Sequence, residues 1–261
     1  MTADKRESLS ADSAPDTVTC RAASVRTSTV FGSAPVVMAA DDTDAVLACQ
    51  KYIEVIQRVS GCNMTQNTMP SRLVLASSSP YRQKLFSRLN LTFDWVDPGI
   101  NESTLPGESA LGLSQRLGRQ KAQAVTAEGD DPLVIGSDQV AACDNRLLGK
   151  PGSTAAAREQ LAFCAGKQVV FFTSIAVWRP AQQLLREEME SVEVSMRPLT
   201  RREIDDYITA DAPLDCAGSF KVESLGITLF RSITTRDPTA LEGLPLIALS
   251  AMLREAGYRV P

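Results

Sequence analysis

The chain has 261 residues, 44% of them apolar and 22% charged, which is enough for one large domain or two small ones with a hydrophobic core. Its formal charge of -4, from 27 Lys and Arg against 31 Asp and Glu, excludes a global basic field for a nucleic-acid polymer or an anionic membrane, so any anion site must be a local pocket. Histidine is absent, which excludes Ser-His-Asp and Cys-His nucleophile systems, H-E-x-x-H zinc sites and imidazole bases, and leaves carboxylates, lysines or metal-bound water for acid–base chemistry.

Residues 1–69 are rich in Ala, Ser, Thr and Asp and show little periodicity, apart from Val46, Ile53, Ile56 and Val59, whose spacing allows one amphipathic helix over 44–60. The segment is expected to be a disordered extension or to precede a true start at Met64 or Met69. From Arg72 short apolar runs alternate with amphipathic stretches, the texture of an α/β domain over 70–261. Leu73 to Ala76 reads as a buried strand, and Ser79-Pro80 as a cap and first residue of a helix with Leu85 and Leu89 on its apolar face. A helix follows over about 109–125, then a buried strand Leu133 to Ile135 that ends at Gly136-Ser137-Asp138-Gln139. Asp144-Asn145 turns the chain toward Leu147-Leu148, and Ser153 caps a helix running to Gly166. Gln168 to Trp178 and Glu187 to Met196 read as a long antiparallel pair, and Thr200 with Glu203 as a capping box for the helix through Ile208. A strand near Ile227 to Phe230 and a final helix from Pro245 to Gly257 complete the reading.

Three kinds of residue suggest chemistry. Ser77, Ser78 and Ser79 with Arg82 would converge hydroxyls, helix-start amides and a guanidinium on one anion, although Ser-Pro before a helix is also an ordinary cap. On the helical projection with Ala110 at zero, Lys121 falls at about 20°, inside the apolar arc of Leu113, Leu117 and Ala124, so its ammonium either snorkels out or meets an anion. Asp138 is expected at the carboxyl end of its strand, where open α/β sheets bind ligands, with Glu102 and Lys150 on nearby loops. Two carboxylates and several cations suit a hard ion such as Mg²⁺ beside a polyphosphate. The six cysteines are far apart, contain no C-x-x-C pair and read as reduced and mostly buried. No apolar run is long enough to span a bilayer and no secretory signal opens the chain, so a cytoplasmic location is expected.

The segments Leu73 to Arg82, Gly136 to Val140, Gly149-Lys150-Pro151, Cys216 to Lys221 and Gly243-Leu244-Pro245 occur in the order and spacing of the Maf family, which the chain resembles from about Arg72 to its C-terminus. The resemblance implies an elongated α/β, Maf/Ham1-like (ITPase-like) fold with a mixed β-sheet flanked by helices and a deep central cleft. It implies a hydrolase of nucleoside triphosphates, cutting between α- and β-phosphates to release diphosphate with a divalent cation, Mg²⁺ or Mn²⁺. The proton acceptor falls on Asp138, which with Glu102 would also hold the metal. Phosphate-handling positions fall on Ser77, Arg82, Lys121 and Lys150; Ser79 and Lys221 are added as candidates for the same work.

Tyr81, Gln139 and Glu223 resemble the branch that acts on 7-methyl-GTP and so clears modified nucleotides, whereas the dTTP and UTP branch usually carries arginine and threonine at the first two positions. N7-methylation makes guanine cationic, so stacking on Tyr81 would add a cation–π term of about 0.5 to 2 kcal/mol, and the Glu223 carboxylate could accept from guanine N–H groups. The blander alternative leaves Tyr81 as cover for the helix start and Glu223 as a solvated turn residue. Asn101, Gln83 and Ser224 depart from the family pattern; Asn101 stands where a second acidic residue is common, so Glu102 would act alone. Partners are expected to be a small nucleotide, with no nucleic-acid polymer or membrane, and a homodimer is left open. Two alternatives stand beside this reading: a dTTP or UTP pyrophosphatase, and a nucleotide-binding regulator of septum formation.

Overall fold

The computed structural model describes residues 70, 72–126 and 131–261, together with the backbone of two short strands upstream. The chain divides into two units, Met1–Thr68 and Met69–Pro261. Within the first, strands β1 (Val30–Phe31) and β2 (Ala34–Pro35) pair antiparallel. The expected helix over 44–60 lies outside the described residues.

The second unit is built on a seven-stranded mixed sheet in the order β4-β3-β5-β7-β8-β9, with β6 also paired to β5. Strand β3 (Arg72–Ala76) lies parallel to β4 (Asp94–Val96) on one side and to β5 (Pro132–Cys143) on the other. Its run of Leu73 to Ala76 is buried throughout, as a parallel strand covered on both faces requires. Strands β7 (Gln168–Arg179) and β8 (Leu184–Met196) form the expected long antiparallel pair, joined through a 3-10 turn at Pro180–Gln182 with Gln183 in the left-handed region. Asp144 and Asn145 both adopt positive φ, 47° and 63°, and turn β5 into β6 (Arg146–Leu148).

Two sequence readings need correction. The strand expected to end at Gly136 continues to Cys143, because β7 pairs with it from Val134 to Ala142. Asp138 is therefore inside a strand rather than at its end. The strand expected near Ile227 is a 3-10 helix, Leu225–Leu229, and β9 (Phe230–Thr234) begins only at Phe230. There the chain folds tightly on itself: a Cβ on Gly226 would stand 2.3 Å from the Lys221 carbonyl oxygen.

The opposite edge of β5 explains why the site forms where it does. Parallel β3 pairs with Pro132 to Ile135, antiparallel β6 pairs with Ala141 to Cys143, and Gly136 to Val140 have no partner on that edge among the described residues. Asp138 thus sits just beyond the carboxyl end of β3, in the fork between two strands.

Among the described residues five helices flank the sheet: α1 (Pro80–Ser87), α2 (Ala110–Ala124), α3 (Thr154–Cys164), α4 (Arg201–Asp211) and α5 (Leu246–Glu255). Leu73, Leu75, Leu133 and Ile135 pack with α1 and α5 residues such as Phe86, Leu249 and Leu253. The alternate residues Val74, Ala76 and Val134 pack with Ala122 of α2. Helix α2 lies directly on the β5 backbone, since a Cβ on Gly136 would stand 2.3 Å from the Gly118 carbonyl oxygen and 2.5 Å from the Ala122 nitrogen. A second core of Leu161, Ile208, Phe171, Met196 and Phe220 joins α3 and α4 to the far part of the sheet. Among the described cysteines, Cys143 and Cys164 are buried, Cys216 is half-buried, and all three are free thiols.

Candidate active site

Strand periodicity distributes the β5 side chains between two jobs. Asp138 shares the face of Val134 and Gly136 and so points toward α2, while Ser137 and Gln139 point to the opposite face. On the first face the Lys121 ammonium stands 2.6 Å from Asp138 Oδ1 and 2.6 Å from Glu102 Oε1. Lys121 is only 5% exposed, so its ammonium does not snorkel to solvent but is held by these two carboxylates. Ser114 ties the same helix to the strand, donating to the Asp138 carbonyl oxygen at 2.9 Å and accepting from the Ser174 N–H at 3.1 Å.

Glu102 reaches this point from the loop between β4 and α2. Asn101 holds that loop, its side-chain oxygen accepting from Ser103 N–H at 2.9 Å. Arg116 of α2 clamps it further, donating to the Ser103 carbonyl at 3.0 Å while paired with Glu108 at 2.7 Å. Burial works to raise the Glu102 carboxyl, but Lys121, Lys150 and Arg82 outweigh it and hold the group below the usual carboxylate range.

The serine-rich turn supplies the facing wall. Ser79 caps α1, its hydroxyl accepting from the Arg82 N–H, and the buried Ser77 hydroxyl accepts from the Ser79 N–H at 3.2 Å. Arg82 donates through Nε to the Gly243 carbonyl at 2.8 Å, and its terminal nitrogens make no hydrogen bond among the described residues. Burial pulls its guanidinium pKa down, opposed by the charges of Asp138 and Glu102. Gly243 ends the 3-10 turn Pro238–Glu242 at φ 108°, a conformation that suits glycine, and also accepts from the Ser137 hydroxyl at 3.1 Å.

Gln139 is anchored on that same turn. Its amide nitrogen, with two protons to donate, lies among three acceptors: the carbonyls of Ala240 at 2.8 Å and Leu241 at 3.1 Å, and the Thr173 hydroxyl at 3.1 Å. Thr173 already donates its own proton to Ala240, so these acceptors define the amide orientation and leave Oε1 without a partner among the described residues. Tyr81, the second residue of α1, donates its phenol to Asp215 Oδ2 at 3.1 Å.

These groups line one cavity of about 720 Å³. It gathers Ser77, Ser79, Tyr81, Arg82, Glu102, Lys121, Asp138, Gln139, Lys150 and Glu223. Lys150 and Glu223 are exposed and form no ion pair among the described residues. Lys221 is not brought to the cavity lining: its ammonium turns onto the Asp211 and Ala212 carbonyls at 3.1 and 3.4 Å, at the negative end of α4. Asp215 and Asp97, which do line the cavity, were not singled out in the sequence. Asp215 lies directly before the Cys216-Ala217-Gly218 segment, and its bond to Tyr81 ties it to the facing wall.

Among the described residues no group of three or more His, Cys, Asp or Glu side chains is arranged to hold a metal ion. The two carboxylates that converge on the Lys121 ammonium match the smaller set, one or two carboxylates beside phosphate oxygens, by which Mg²⁺ is usually bound. No helix among the described residues is long and apolar enough to cross a membrane.

A family model for Maf-like proteins matches residues 72–256. The chain is 50% identical over 190 residues to a protein of Xanthomonas axonopodis pv. citri (strain 306) named 7-methyl-GTP pyrophosphatase, a match covering 73% of this chain and 99% of that protein. It is 49% identical over 193 residues to the protein of that name from Pseudomonas syringae pv. syringae (strain B728a), covering 74% and 100%. A third, from Cupriavidus pinatubonensis (strain JMP 134 / LMG 1197), is 48% identical over 197 residues, covering 75% and 98%. With a seven-stranded mixed sheet, five flanking helices and a family match across nearly the whole second unit, the chain belongs to the Maf-like protein family.

Proposed function

We propose that the domain is a nucleoside triphosphate pyrophosphatase that hydrolyses 7-methyl-GTP to 7-methyl-GMP and diphosphate, acting on the cytoplasmic nucleotide pool. The observation that carries the chemistry is the convergence of buried Lys121 on Asp138 and Glu102, beside Arg82, whose terminal nitrogens make no hydrogen bond among the described residues. With no histidine in the chain, Asp138 is the base that accepts a proton from the attacking water. The water oxygen bonds to the α-phosphorus, and the bridging oxygen leaves with the diphosphate. Arg82, Lys121 and Lys150 hold the phosphate oxygens on which charge accumulates, and the Ser77–Arg82 turn presents helix-start amides to them. A divalent cation such as Mg²⁺ or Mn²⁺ held by Asp138 and Glu102 would neutralise phosphate charge and orient the chain of phosphates.

The base reading rests on Tyr81, Gln139 and Glu223 lining the same cavity, and on the named activity of the relatives. Tyr81 offers an aromatic face for the cationic base, Gln139 its Oε1 as an acceptor for guanine N–H groups, and exposed Glu223 a negative charge.

Diphosphate release measured over 7-methyl-GTP, GTP, dTTP and UTP, with and without Mg²⁺, tests the proposal. Release is expected to be fastest with 7-methyl-GTP and to fall by at least about 100-fold in Asp138→Asn. Preference for dTTP or UTP would overturn the base reading. No release from any nucleotide would favour the regulator.

A further inference from the structure

The Tyr81–Asp215 contact joins two walls of the cavity that are 134 residues apart in the chain. Its acceptor differs from Asp138 and Glu102, which face Lys121, in facing the aromatic residue. Asp215 Oδ1 stands 3.5 Å from the Cys216 sulfur and 3.8 Å from the Lys221 ammonium, which is already occupied by two main-chain carbonyls. At 3.8 Å the Lys221 contact is a long ion pair, and the Asp215 side chain is 59% exposed at the cavity wall, open to a second cationic partner. Burial works to raise the Asp215 carboxyl, but its own backbone N–H, the Cys216 thiol, the Tyr81 phenol and the Lys221 charge outweigh it, so the group stays ionised. The Tyr81 phenol is pushed the other way, by burial first and then by Cys216 and Asp215, and remains a donor. Neighbouring Cys216 is raised to about 12, chiefly by burial, so it adds no competing charge.

7-Methylguanine and guanine differ at this end of the substrate by one methyl group and one positive charge. A ring that stacks on Tyr81 lies beside the carboxylate that tethers the tyrosine hydroxyl. We infer that Asp215 is a specificity-determining residue, its carboxylate selecting a cationic purine over a neutral one at the Tyr81 face. This rests on the 7-methyl-GTP reading above and adds to it a second acidic group, distinct from Glu223, whose role depends on charge.

The test is the ratio of kcat/KM for 7-methyl-GTP to that for GTP, measured in wild type, Asp215→Asn, Asp215→Glu and Tyr81→Phe, with thermal melts to verify folding. Asp215→Asn is expected to lower the ratio about tenfold, equivalent to about 1.4 kcal/mol, and Asp215→Glu to restore most of it. Tyr81→Phe, which keeps ring and carboxylate but removes the hydroxyl, is expected to lower the ratio less than Asp215→Asn does. An equal fall for both nucleotides in Asp215→Asn, an unchanged ratio, or an effect no larger than that of Tyr81→Phe overturns the inference alone. A wild-type protein without preference for 7-methyl-GTP overturns the reading it rests on, and the inference with it.

Discussion

Replacing Lys121 with methionine would keep the stem of the side chain and remove the ammonium that both carboxylates face. Asp138 is buried, so its charge would lose its closest partner, and breaking a buried pair from one side costs about 3 kcal/mol. Lys121→Met is expected to lose roughly that much stability in urea unfolding and at least about 100-fold in turnover. Glu102 behaves differently because more than half of its side chain meets solvent. Its carboxyl is held below the usual range, so its contribution is complete above the ordinary carboxylate pKa and is lost as pH falls through the lowered folded value. The stability difference between wild type and Glu102→Gln should therefore be steady near neutral pH, no more than about 1 kcal/mol, and vanish in acid. Urea midpoints at pH 7 and at a series of pH values descending below the ordinary carboxylate range check this. Lys121 itself was legible in the sequence, because a lysine inside an apolar helical arc is a local anomaly. Asp215 was not, because nothing within a few residues of it depends on Tyr81.

Local signals also explain which elements could be read in advance. The capping box at Thr200 and Glu203 forms as expected, each side chain satisfying the other's backbone N–H. Thr200→Ala should cost about 1 kcal/mol in urea unfolding and leave turnover per folded molecule unchanged. Gly136 sits where α2 touches β5, and there a small change should reach the chemistry. A Cβ would meet main-chain atoms that cannot rotate away, so Gly136→Ala is expected to cost about 2 kcal/mol by overpacking. It should also reduce turnover more than Thr200→Ala, because the displaced helix carries Lys121 and Ser114. Equal turnover in the two variants would contradict that coupling. The length of β5 escaped the sequence reading because its second half is fixed by pairing to β6 and β7, and Gly136 and Asp138 look locally like a strand ending.

At the scale of the whole molecule, every described residue lining the cavity lies between Ser77 and Gly243. The relatives, matched over 98% or more of their lengths, correspond to about three quarters of this chain. A protein comprising Met69–Pro261 is therefore expected to retain the kcat/KM of the full chain for its preferred nucleotide within about twofold. A large loss would assign residues 1–68 a part in the reaction. The sequence alone narrowed the chemistry available, since a chain without histidine is left with carboxylates, lysines or metal-bound water for acid–base work. It also determined caps, tight turns and the family resemblance, all of which depend on residues close together or on ordered motifs. Tertiary structure decided the pairings: Asp138 against Lys121, Gln139 against the Ala240 and Leu241 carbonyls, Tyr81 against Asp215, and Lys221 turned onto α4. Each depends on separations of a few ångströms between segments distant in the chain, set by which strand edges pair and how closely a helix can approach the sheet.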